Sequence, residues 1–180
     1  MIYEHFGRYQ EALKLYESMR AIYPTVKDQS ETTIQLYTAL AEMNQANILD
    51  LLGKFEQAYK LHQQAQASFI ALAETYLIVY AEVNLADLDY TQGFYGSALR
   101  RYYQARDRLI QSNINDPLFL AILKLEIANC LVKLNRAKEA CLMSEEAVKA
   151  YRQVGISLST GNALRIHACL LYTSPSPRDS

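Results

Sequence analysis

Tryptophan is absent from this chain, and glycine is scarce, at six of 180 residues. With 51% of its residues hydrophobic, such a chain is globular and not a low-complexity tract. Cysteine is rare too. Cys130, Cys141 and Cys169 form no CxxC pair and no Cys/His cluster, which argues against a zinc site. Their odd number and wide spacing suit a reducing cytoplasm and not a disulfide framework. No charge of one sign prevails: the formal net charge is −1, so nothing draws the whole chain toward nucleic acid or an anionic membrane. No apolar run approaches the roughly 18 residues of a membrane span. The opening MIYEHFGRYQEAL has no basic segment followed by an apolar one, so no signal peptide is expected. What is abundant is Ala, Leu, Glu, Gln, Lys and Arg, all good helix formers, together with 14 tyrosines. The length suits one domain with a sizeable core.

The chain repeats itself. Four stretches align: FGRYQEALKLYESMRAI, LGKFEQAYKLHQQAQAS, QGFYGSALRRYYQARDR and LNRAKEACLMSEEAVKA. Their anchors, Gly7, Gly53, Gly93 and Asn135, fall 46, 40 and 42 residues apart. Two residues after the anchor stand Tyr9, Phe55, Tyr95 and, departing from the pattern, Ala137. Five after it stand Ala12, Ala58, Ala98 and Ala140. Twelve after it come Met19, Ala65, Ala105 and Ala147, and seven before it Ala46, Ala86 and Ala128. An anchor Gly or Asn takes a left-handed conformation at low cost, which ends one helix and begins a turn. The alanines are small where two helices approach closely, and the aromatic packs over the turn. Apolar residues recur at helical spacing on both sides of the anchor, as in Leu36, Leu40, Met43, Ile48, Leu51 and Leu52 before Gly53. Each unit is thus a helical hairpin that must stack on the next to bury its apolar stripe. Asn135 and Ala137 predict a weaker turn in the fourth unit.

This recurrent small–Gly–aromatic–Ala–Ala pattern resembles the tetratricopeptide repeat (TPR) family over residues 1–168. The units exceed the usual 34 residues or so and are closer to the roughly 42-residue repeats of kinesin light chains and of bacterial TPR regions joined to signalling ATPases or CHAT-type proteases. The resemblance implies an all-α, right-handed solenoid of about three complete hairpins with partial units at both ends. It implies a protein-interaction scaffold of the bacterial cytoplasm, without catalytic residues, cofactor or metal, whose partner is a protein or peptide. The alternative is the sensor segment of a larger enzyme of those two kinds.

The two ends read differently from the middle. MIYEHF is too short to be a complete first helix, and GISLSTGNALRIHA opens a fifth unit near a capping Thr160. The closing segment, residues 169–180, has no apolar period, and CLLYTSPSPRD resembles, codon for codon, a translated transposase sequencing adapter. It is therefore read as a dispensable tail from a metagenomic insert, to be set aside from the fold.

Candidate chemistry is sparse. His62 falls at the position held by Tyr16, Tyr102 and Ser144 in the other units, a packing position. No Ser/His/Asp or Cys/His arrangement and no phosphate-binding glycine loop occurs. Arg100, Arg101, Arg106 and Arg108 stand beside Tyr102 and Tyr103, a composition that can grip single-stranded nucleic acid. They spread around a second helix, however, and read as a solvated face, with no nucleic-acid partner expected. In the TPR family the first helices form the concave groove, and the residue nine before the anchor is often an Asn that bonds a peptide backbone. By resemblance the groove residues are Asn44, Asn84 and Glu126, with Asn47, Asp87 and Asn129 three residues on. Amides and acids at helical period on one face are otherwise unfavourable in helix interiors. The two acids favour a basic or neutral ligand.

Overall fold

The structure, a computed structural model, describes residues 8–155, and these contain helices and turns without strands. Seven α-helices follow one another: α1 (Tyr9–Ile22), α2 (Glu31–Leu51), α3 (Phe55–Ala71), α4 (Thr75–Thr91), α5 (Tyr95–Gln111), α6 (Pro117–Lys133) and α7 (Ala137–Val154), with a 3-10 turn at Tyr23–Thr25. The chain divides into two compact units between Leu88 and Asp89, inside α4. Thr160 and the closing segment 169–180 lie outside the described residues.

Turn chemistry sets the helix ends. Gly53, Gly93 and Asn135 have φ of 71°, 85° and 58°. Around Gly53 the amide N–H of Gly53 donates to the Asp50 carbonyl and that of Lys54 to the Leu49 carbonyl, both at 2.8 Å, the Schellman pattern. A Cβ on Gly53 or Gly93 would meet nothing within 4 Å, so glycine is there for its backbone angle and not for space. Asn135 forms the same pair of bonds, at 3.1 and 2.9 Å, so the fourth turn closes as the glycine turns do. The next connection repeats the device where glycine is absent. Ala73, at φ 56°, donates to the Ile70 carbonyl, and Glu74 donates to that of Phe69. Two helices open on side-chain caps: the Ser30 hydroxyl accepts from the Thr33 N–H at 3.1 Å, and the Asp116 carboxylate from the Phe119 N–H at 2.8 Å, with Pro117 at the first helical position.

In the first unit two apolar clusters bind the hairpins. Ala12, Leu13 and Tyr16 of α1 pack with Ile48 and Leu49 of α2, Ala58 of α3 and Leu88 of α4. Ala39 and Met43 of α2 join Ala65 and Phe69 of α3 and Ile78 and Ala81 of α4. Tyr9 and Phe55, the aromatics after the anchors, lie half-buried against the first cluster. In the second unit Ala121 and Leu125 of α6 meet Ala147, Val148 and Tyr151 of α7. The repeat alanines at 58, 98, 140, 65, 105, 147, 46, 86 and 128 are all fully buried. Leu51, in apolar register by sequence, is 61% exposed: it is the last residue of α2 and shares its open face with Asn44, seven residues earlier.

Close approach at these alanines gives a direct test. Ala98→Leu should destabilise the fold by about 1–3 kcal/mol through overpacking. Chemical denaturation checks it, and an unchanged midpoint would mean that the hairpin register is wrong.

Candidate functional site

The six residues picked from sequence lie on three first helices. Asn44 and Asn47 are on α2 and Asn84 and Asp87 on α4, all in the first unit, whereas Glu126 and Asn129 are on α6 in the second. Five are half-buried and Asp87 is exposed. Asn44 and Asn47 are one turn apart and share a helix face, as do Asn84 and Asp87. Among the described residues, the side chains of Asn44, Asn47 and Asn84 hydrogen-bond to no other group. Exposed rings share the same faces: Tyr37, 48% exposed, stands seven residues before Asn44, and Tyr80, 40% exposed, four before Asn84.

The α6 pair behaves differently. Asn129 Nδ2 donates to Glu126 Oε2 at 3.1 Å, so these two groups answer each other. Burial pushes the Glu126 carboxyl above its ordinary range, with the Asn129 hydrogen bond opposing in part. Tyr90 sits among them electrostatically. Its phenol is raised first by burial and then by Cys130, Glu126 and Tyr95, and its ring meets that of Tyr95 edge-on at 5.2 Å.

Sequence reading missed Asp50, one turn beyond Asn47. Its Oδ1 is shut off from solvent without a hydrogen-bond partner, and burial raises its carboxyl. The signal was present as the continuation of the i, i+3 series from Asn44 and Asn47. His62 is buried, as its packing position implied, and its Nδ1 has no partner.

The arginine-rich helix α5 is tied down locally. Asp89, 7% exposed, accepts from Arg101 Nε at 2.8 Å and from the Ser97 hydroxyl at 2.7 Å. Arg106 pairs with Asp107 at 2.7 Å and lies 4.7 Å from the centre of the Tyr103 ring. Among the described residues no three of His, Cys, Asp and Glu gather to hold a metal ion, and no helix is long and apolar enough to cross a membrane.

These hairpins, with left-handed turns and buried alanines in register, define a TPR-like helical-repeat fold. Solved structures share it. The apo form of RapI superposes with a TM-score of 0.78 at 15% identity over 94% of this chain. BtubC (BKLC) from P. vanneervenii gives 0.69 at 15% identity, covering 99% of this chain and 80% of its own. The nearly identical TPR-like repeats of kinesin-light-chain type from Podosopora anserina give 0.65 at 17% identity, covering 97% and 92%. The chain spans 45% of the length of RapI. No protein-family model and no curated protein matches the sequence.

Proposed function

We propose that the chain is a protein-interaction module whose first helices hold an extended peptide or protein segment. The observation that carries this reading is the set of half-buried amides of Asn44, Asn47 and Asn84, which bond to no other described side chain or backbone group. An amide both donates and accepts, the two roles an extended backbone asks for. Tyr37 and Tyr80, exposed on the same faces, offer flat apolar contact beside them. Asp50 and Asp87 add acceptors and negative charge, which favours a neutral or basic segment. In the second unit, taken by itself, the pair Glu126 and Asn129 can exchange its internal bond for one to a ligand. The module acts by presenting a preformed surface and carries out no chemistry. Cys130, buried, and Cys141, half-buried, form no disulfide among the described residues, which suits residence in the cytoplasm.

A peptide selected from a displayed random library against the full chain tests the reading. The double variant Asn44→Ala/Asn84→Ala should bind it more weakly by about 0.5–1.5 kcal/mol per lost bond. Unchanged affinity in that variant, with loss on replacing Arg100 and Arg101, would move the binding surface to α5 and end the proposal.

A further inference from the structure

A second surface in the first unit is built differently. Helices α1, α2 and α3 enclose an open cleft of about 380 Å³, a size that suits one or two side chains. Leu13, Leu49 and Leu61 supply its apolar contact, and Gln45, Gln57 and Gln64 its amides. Its charged lining is three cations, Arg20, Lys54 and Lys60, against one carboxylate, Glu17. Buried Gln45 accepts from Arg20 Nη1 at 2.7 Å and donates to Glu17 at 3.4 Å, while Arg20 Nη2 reaches Glu42 at 3.1 Å. Arg20 is thereby held in place by two of its donors, and its Nε–H is shut off from solvent with no acceptor. Lys54 and Lys60 are exposed and have no ion-pair partner among the described residues.

The repeat makes an internal comparison possible. Two repeats later, the positions of Arg20 and Lys54 are held in the second unit by Arg106 and Arg136, and that of Lys60 by Leu142. There the cations are quenched: Arg106 pairs with Asp107 and Arg136 with Glu139, each at 2.7 Å. Arg20 has an acidic partner as Arg106 does, so what distinguishes the first cleft in this comparison is its two lysines without one, Lys54 and Lys60, beside leucines. None of its lining residues belongs to the amide row of Asn44, Asn47 and Asn84.

We infer that this cleft is a separate docking point for an acidic protein segment. A Glu or Asp side chain of the segment lays its carboxylate between Lys54 and Lys60, within reach of Arg20, and its aliphatic stem on Leu13, Leu49 and Leu61. Glutamate fits better than aspartate because its stem is longer. Glu17 and Glu42 temper the positive charge, so the contact is salt-sensitive and of moderate strength.

The test uses the full chain and a fluorescein-labelled hexaglutamate peptide, read by anisotropy in low-salt buffer, with hexaglutamine as reference. Hexaglutamate should bind and hexaglutamine should not. Lys54→Gln/Lys60→Gln should weaken binding by about tenfold, as expected for losing two partly exposed charge contacts. The charge-matched pair Lys27→Gln/Lys138→Gln, and Asn44→Ala/Asn84→Ala, should leave it unchanged, which separates this cleft from the amide surface. Four results would overturn the inference: no binding of hexaglutamate; equal loss in both lysine pairs; loss confined to the asparagine variant; or saturation of the cleft by inorganic phosphate while hexaglutamate stays unbound.

Discussion

Replacing Phe69 by Ala should lower the free energy of unfolding by about 3–5 kcal/mol. Phe69 has no exposed surface and joins α3 to α2 and α4 through Ala39, Met43, Ala65, Ile78 and Ala81. Three of those five neighbours are alanines with no side chain to move into the space, so the cavity stays open and its full cost is felt. The neighbouring Ile70 is 57% exposed, and Ile70→Ala should change stability by only about 0.5 kcal/mol. Denaturant titrations of both variants make the comparison. Equal effects at the two positions would contradict the packing described for α3.

Acid should destabilise the fold through His62. Burial pushes its imidazole down from 6.5 to about 4, because the charged form is poorly solvated there. The folded protein therefore keeps His62 neutral while the unfolded chain takes up a proton below the ordinary value. Stability attached to this residue is whole above about pH 6.5 and falls by about 1.4 kcal/mol per pH unit between there and pH 4. The full loss is about 3–4 kcal/mol on the same scale. Asp50 and Glu126, whose carboxyls are raised by burial, act with the opposite sign, since protonating them relieves a penalty. The difference between the native chain and His62→Phe isolates the imidazole, because an aromatic ring at this position has precedents in Tyr16 and Tyr102. The pH slope between 6.5 and 4 should shrink in the variant, whatever its stability at pH 7. Identical slopes would show that His62 is protonated in the folded state.

Much of the fold was legible because its devices are local. A left-handed residue at Gly53, Gly93 or Asn135 leaves a mark in residue type, and alanine every repeat marks where helices touch. Ala73 adopts the same left-handed angle without such a mark: alanine gives no hint of positive φ, and the backbone bonds of the turn, Ala73 to Ile70 and Glu74 to Phe69, hold it there. Asn113, at φ 54°, is a permissive residue hidden in a polar stretch. The amides of α2 and α4 could be picked out because polar groups at helical period stand out on otherwise apolar helices. Asp50 escaped because the family pattern stops short of it. The cleft between α1, α2 and α3 was not legible, since its cations come from segments about a repeat apart and mean nothing until they face one another. The Asp89–Arg101 pair shows the converse. A basic stretch suggestive of nucleic acid turns out to spend one of its arginines on a buried carboxylate.

The three-residue connections that follow α2, α3, α4 and α6 carry a consequence in time. Within each unit a helix packs on its neighbours in sequence, so nearly every contact closes a loop of a few tens of residues. Chains of this kind fold in microseconds to milliseconds. A ribosome adding about 5–20 residues per second takes seconds to extend the chain by one hairpin. Folding therefore waits on synthesis and never lags behind it. Phe69 is left uncovered only until α4 emerges, and the apolar first helices are sheltered one by one as each next helix arrives.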